Sequence, residues 1–231
     1  MQEELLSGAK ALGLELNEGQ IAAFERYADL LVEKNTVMNL TAITAPAEIA
    51  RLHFLDSLAL LRLADFRGKR VLDVGCGAGF PGVPLLIGAP SVRLSLLDST
   101  AKRMQWLSDE LLPALGLEAE CLTGRAEELI EGRREAFDLC VSRAVARLNI
   151  LCELCLPYVR VGGSFLAMKG PAASDELAEA ENAVRRLGGA VREIAEYPLG
   201  DAVHRVVVID KTRPTPPRYP RRYAKIKQSP L

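Results

Sequence analysis

The sequence predicts an α/β fold: a seven-stranded, mostly parallel sheet with helices on both faces and a helical extension at its N-terminus. Three observations carry this. Apolar segments at 70–74, 92–97, 118–123, 137–142, 161–168, 190–197 and 203–209 read as strands. Helical spacing fills most of the gaps, notably 100–115, 147–157 and 174–187. The first strand also runs directly into a glycine turn, Asp73-Val74-Gly75-Cys76-Gly77-Ala78-Gly79-Phe80-Pro81-Gly82.

Taken in order, residues 1–66 form the helical extension, 67–212 the sheet domain and 213–231 a basic, proline-rich tail. Leu5, Leu6, Ala9, Leu12 and Leu16 mark a first helix. Asn17 and Gln20 have the spacing of a capping box, and Ile21, Phe24, Ala28 and Leu31 then share one face as far as about Asn35. A third helix is expected from Pro46 to about Leu63. Between and within these helices, Asn35 to Thr41 and His53-Phe54-Leu55-Asp56-Ser57 are harder to explain by packing. His53 and Asp56 stand one turn apart, the spacing of a local surface pair. In the sheet domain, Val71, Leu72 and Val74 suit a strand covered on both faces. The last two strands, joined by Tyr197-Pro198-Leu199-Gly200-Asp201, read as a hairpin and would place one antiparallel strand in the sheet. The prolines from Pro214 onward argue against regular helix in the tail.

With 49% hydrophobic residues, the 231-residue chain is globular rather than disordered. It has no run of eighteen apolar residues and starts acidic, so neither a membrane span nor a secretory signal is expected. Cys76, Cys121, Cys140, Cys152 and Cys155 are odd in number and mostly in apolar settings. They suggest reduced thiols and a cytoplasmic location. Cys152 and Cys155 read as a buried helix face rather than a metal or redox pair. Residues 211–231 carry seven cations and no acid, while the preceding 210 carry 22 basic against 30 acidic residues. A basic tail on an acidic body is the footprint of an RNA or phosphate contact, or of a solvated end.

Glycine at 75, 77 and 79 permits positive φ and lets a ligand approach the backbone. Nineteen residues beyond Gly79, a second apolar strand ends in Asp98 and Ser99. An acid there takes ribose hydroxyls in doubly wound sheets. Asp73 just before the glycines would repel a phosphate and attract an ammonium group. An adenosine with an amino-acid tail, S-adenosylmethionine, therefore fits better than a dinucleotide, and the pattern resembles motif I of the class I, Rossmann-like methyltransferases. After the third strand, Gly124-Arg125-Ala126-Glu127 can meet an adenine edge. After the fourth, Ser142-Arg143-Ala144-Val145 lacks both the Asn/Asp-Pro-Pro-aromatic stretch of amine methyltransferases and a nucleophilic cysteine. A nucleophile with no proton to lose, such as guanine N7, suits such a site. Lys169 after the fifth strand and Lys102-Arg103 after Asp98 lie where phosphates would arrive.

Together with Asn39-Leu40-Thr41, His53 to Ser57, Lys169-Gly170, Tyr219-Pro220-Arg221 and the final Pro230-Leu231, these motifs resemble the bacterial 16S ribosomal RNA (guanine-N7) methyltransferases, the glucose-inhibited division protein B family. The resemblance spans nearly the whole chain. It implies methylation of one guanosine in the decoding-region loop of 16S rRNA, with the small ribosomal subunit as partner. It implies cofactor contacts at Gly75, Phe80, Ala126, Glu127 and Arg143, beside Asp73, Gly77, Gly79, Asp98 and Ser99. Thr100 departs from the family's usual Asn or Leu after Asp-Ser. No catalytic base is expected. Arg143 and Lys169 are positioning candidates, and Asn39, His53, Lys102, Arg103, Lys169, Arg205, Arg221 and Arg222 are candidates for RNA contact. Neither metal nor membrane is expected, and the protein is expected to be a monomer. Removing the tail is expected to lower RNA binding and spare cofactor affinity. A small-molecule methyltransferase and a non-catalytic RNA-binding assembly protein remain alternatives.

Overall fold

The computed structural model describes residues 1–200 and 202–231. Asp201, the last residue of the expected hairpin turn, lies outside them. The N-terminal extension comprises α1 (Gln2–Ala11), α2 (Glu18–Met38) and α3 (46–62), the last a continuous helix with a wide π turn at Ala50–Leu55. Asn17 and Gln20 do form the capping box. The Gln20 side-chain amide also donates to Ile87 O at 2.8 Å and so ties α2 to the sheet domain.

The sheet contains β1 (Arg70–Val74), β2 (Arg93–Asp98), β3 (Glu120–Thr123), β4 (Phe137–Arg143), β5 (Val159–Lys169), β6 (Gly189–Leu199) and β7 (Ala202–Lys211). Their order is β3-β2-β1-β4-β5-β7-β6, with β7 alone antiparallel to its neighbours. Strand order reverses between β1 and β4, and ligands bind at the carboxyl ends beside such a switch. The covering helices are α4 (Gly82–Gly88), α5 (101–114), α6 (Leu148–Cys155) and α7 (Ala173–Arg186). Cys152 and Cys155 are buried on α6, as the apolar spacing suggested.

Two apolar cores flank the sheet. One joins its first face to the N-terminal extension through Phe24, Tyr27, Leu31, Phe54 and Leu58. The other lies beneath α6 and α7 and takes in Tyr219 and Ile226 from the tail. Residues 126–135, after β3, form successive turns. Two expectations change, both in the tail. The tail forms a short helix, α8 (Tyr223–Gln228), because no proline falls between Pro220 and Pro230 to remove an N–H. The tail cation Lys211 is the end of β7, fully buried, with Nζ donating to Leu156 O and Val159 O and lying 3.1 Å from Glu135.

Candidate functional site

At the carboxyl ends of β1, β2 and β3 lies a cavity of about 310 Å³. Its walls are Val74 and Gly75, Leu97 to Thr100, Arg103, Gly124 to Glu127, Ala144, Val145, Leu154 and Tyr223. Gly75 turns the chain at φ +74°, and a Cβ there would come within 2.3 Å of Val145 Cγ2. Gly79, at φ +100°, is needed for packing, since its Cβ would meet Tyr27 Oη at 2.7 Å. Asp98 stiffens the turn from the second strand, its Oδ2 accepting from Gly77 N at 3.0 Å and its Oδ1 from Thr100 N at 2.8 Å. Glu127 accepts from Arg125 Nε at 2.6 Å.

Of the residues expected at a cofactor, the structure brings Gly75, Asp98, Ser99, Ala126 and Glu127 around this one cavity. Gly77 and Gly79 shape the turn without lining it. Asp73 lies behind it, fully buried, with Oδ2 accepting from Gly82 N at 2.7 Å. Its Oδ1 has no hydrogen-bond partner among the described residues. Burial raises the Asp73 carboxyl to about 7, against the pull of the Gly82 N–H and the Arg143 charge. An orphaned buried carboxylate oxygen beneath a half-buried glycine turn, with a second acid in the cavity, fits a cationic nucleoside and disfavours a phosphate.

Phe80 and Arg143 belong to a neighbouring cluster. The Arg143 guanidinium lies 4.9 Å from the Phe80 ring centre. Its Nη1 donates to Asp56 Oδ2 at 3.0 Å and to Leu52 O at 3.1 Å. His53 stacks on Phe80 at 4.6 Å between ring centres, and its Nδ1 lies 3.3 Å from Arg143 Nη2. Burial, then the Arg143 charge, lowers the His53 ring to about 4, so it is neutral near pH 7. His53 and Asp56 do not pair with each other. Asp56 instead takes Tyr197 Oη at 2.9 Å and His204 Nδ1 at 2.7 Å. That pairing raises His204 and, with Arg143, holds Asp56 below the usual carboxylate range despite its burial. The stretch from Asn35 is explained too: Asn35 Oδ1 accepts from Thr41 N, and Thr41 Oγ1 lies 2.8 Å from His53 Nε2.

This cluster opens on a second cavity of about 500 Å³ that shares Ala144 and Val145 with the first. Arg143, Lys169, Glu176, Tyr197, His204 and Arg205 line it. Lys169 Nζ donates to Ala146 O at 2.6 Å and Glu176 Oε2 at 2.7 Å. Arg205 is paired with Glu196. Asn39 is an exposed helix end in the left-handed region. Lys102 and Arg222 are exposed, and Arg103 lines the first cavity. Arg221 is committed to the buried Glu153. The sequence reading missed Tyr197, His204 and Tyr223. The signal for His204 was the hairpin itself: an antiparallel β7 begins where its neighbour ends, with Lys169 opposite Arg205.

The family described as rRNA small subunit methyltransferase G matches residues 20–201. The chain belongs to that family. Full-length relatives agree. The ribosomal RNA small subunit methyltransferase G of Alkaliphilus oremlandii is 41% identical, covering 100% of this chain and 99% of the relative. That of Pelotomaculum thermopropionicum is 44% identical over 100% and 99%. Among solved structures, TrmN from Thermus thermophilus is 26% identical over 68% of this chain and 48% of its own, with a TM-score of 0.54. A precorrin-6y C5,15-methyltransferase from Geobacter metallireducens shares the fold at a TM-score of 0.55, with 12% identity over 76% of this chain and 92% of its own. The sheet order and its single antiparallel strand are thus those of a class I methyltransferase fold. Among the described residues, no helix is long and apolar enough to cross a membrane, and no group of three or more His, Cys, Asp or Glu could hold a metal ion.

Proposed function

We propose that the protein transfers a methyl group from S-adenosylmethionine to N7 of one guanosine in the decoding-region loop of 16S rRNA. Family membership makes it an rRNA methyltransferase. The observation that supports N7 is the carboxyl end of β4. Ser142 spends its hydroxyl on Val74 O at 2.8 Å, and Arg143 is held by Asp56. Among the described residues of that strand end, neither side chain is free to act as a base. Cys76, Cys140, Cys152 and Cys155 are buried, and burial raises Cys76, Cys152 and Cys155 further from thiolate. The strand end thus offers neither a free side-chain base nor a thiolate nucleophile, and a ring nitrogen with no proton to lose needs neither.

The first cavity would hold the donor, with Gly75 at its backbone, Asp98 at its ribose and Ala126 with Glu127 at its base. When bound, the donor supplies a methyl group on a positively charged sulfur, open to direct attack by an in-plane ring lone pair. The chain's own part is alignment and exclusion of water. Val145 stands over Gly75 and lines both cavities, so it marks the boundary across which the methyl group would pass. Guanine would enter the second cavity and be recognised at O6, since a donor to N7 would block the reaction. Lys169 suits that role: its ammonium has three N–H groups and two are spent. Arg143 forms the wall, fixed by Asp56 and Phe80.

Mass-spectrometric mapping of small-subunit RNA incubated with protein and labelled donor tests the reading. We expect 7-methylguanosine at a single site. A methyl group on an exocyclic amine, a pyrimidine carbon or a ribose would overturn it.

A further inference from the structure

One wall of the first cavity comes from the far end of the chain. Its other residues belong to strand ends, the turns after them, α5 or α6, whereas Tyr223 opens α8 in the basic tail. Its placement is built rather than incidental. Two residues earlier, Arg221 forks onto Glu153, with Nε 2.8 Å from Oε1 and Nη2 2.6 Å from Oε2, and the Arg221 backbone N–H adds a third bond at 2.8 Å. Glu153 is fully buried, so this fork is what meets its charge, and the next residue, Leu154, lines the cavity. From the other side Arg125, itself a lining residue held by Glu127, places its guanidinium carbon 4.2 Å from the Tyr223 ring centre. One helical turn on, Ile226 is buried in the second core.

We infer that Tyr223 binds the donor by closing the nucleoside end of the cavity, and that the Glu153–Arg221 pair is the positioning element that keeps it there. The inference rests on the first cavity being the donor site. A half-exposed aromatic ring on the wall of a cavity that also holds Asp98 offers a purine a face on which to stack. Charge made the tail look like an RNA arm. On this inference its inner side serves the donor, while Arg218, Arg222, Lys225 and Lys227 remain exposed on its outer side. Removing the tail would then weaken donor binding, against the expectation from charge alone.

The test is calorimetric titration of the full chain with S-adenosylhomocysteine. Tyr223→Ala should weaken binding about tenfold, the loss of one stacking contact. Tyr223→Phe, which keeps the ring, should recover most of the affinity. Arg221→Lys keeps the charge but loses the fork, and should raise KM for the donor without moving KM for RNA, a split that simple loss of stability would not produce. Unchanged affinity in Tyr223→Ala, or an effect confined to KM for RNA, overturns the inference while leaving the donor site standing. Failure of the unaltered protein to bind S-adenosylhomocysteine removes the donor reading itself, and this inference with it.

Discussion

The two ends of the chain both pack on the sheet, and they do so by different physics. The N-terminal helices attach through apolar side chains. Phe54 lies 4.8 Å from Phe24, 5.2 Å from Tyr27 and 6.1 Å from Phe80 between ring centres, all of them buried. The tail buries little apolar surface, chiefly Tyr219 and Ile226, and attaches through polar bonds. Glu153 takes Arg221, Arg134 reaches Tyr219 O, and Thr215 N donates to Glu135. Apolar burial is non-directional and roughly proportional to area. A buried ion pair adds little net stability but strongly resists losing one partner. The N-terminal extension is therefore part of the fold, and the tail is a fitted component whose position is specified more than its stability.

Substitutions on the two sides should separate these modes. Phe54→Ala removes a ring from the N-terminal core and should cost about 3–5 kcal/mol. Chemical denaturation should show one cooperative transition at a lower midpoint, with helix and sheet lost together. A separate early transition of the helices would mean that the extension is not integral to the core.

His53 sharpens the same point through pH. Its ring sits at about 4 when folded, against an unfolded value of 6.5. Between these values the unfolded chain binds a proton that the folded chain refuses. Stability should therefore be complete above about 6.5 and fall as pH drops toward 4, by about 3 kcal/mol over the window. His53→Phe should flatten that fall. His204 has the opposite sign. Its folded value is raised by Asp56, so its contribution is present below its unfolded value and fades as pH rises through the folded one. The stability difference between the parent protein and His204→Gln should shrink on going from mildly acidic to alkaline pH. Equal pH profiles for parent and His53→Phe would mean that the ring is hydrated and titrates normally.

On the other side, Arg221→Ala would strand a buried carboxylate if the tail stayed in place. The tail can instead lift and let water reach Glu153. The cost is thus capped by the docking energy of the segment, below the roughly 3 kcal/mol expected for a broken pair in a rigid core. We expect a small loss in melting temperature and much faster proteolysis beyond Lys211. A loss as large as that of Phe54→Ala would mean that the tail is part of the cooperative core.

How far the sequence revealed this molecule follows the same division. Periodicity reads apolar burial, so the sheet, its single antiparallel strand and the Phe24–Leu31 face were legible. Glycine spacing and the acid ending β2 located the first cavity. Fixed local motifs, such as the Asn17–Gln20 box, were equally readable. Polar contacts between distant segments leave no period. Nothing near Asp56 announces that it will take His204 from 148 positions away, and nothing near Glu153 announces Arg221. Charge counting also grouped Lys211 and Arg221 with the solvated tail cations, because a count cannot tell a buried, partnered cation from a solvated one. Prolines hid α8 because their number was read rather than the gap between them.

The smallest expected effect concerns the cations that the tail leaves outside. Arg222 and Lys225 are exposed and take part in no salt bridge among the described residues. If they meet phosphates, each should contribute about one unit to the slope of log affinity against log salt. Arg222→Ala combined with Lys225→Ala should lower that slope by about two and weaken RNA binding modestly at physiological salt. The substitutions leave Tyr223 and the Glu153 pair untouched, so donor affinity should not move. An unchanged slope would place the RNA on other cations, with Lys102 and Arg103 beside the first cavity the next to test. The tail would then serve only the donor side of the site.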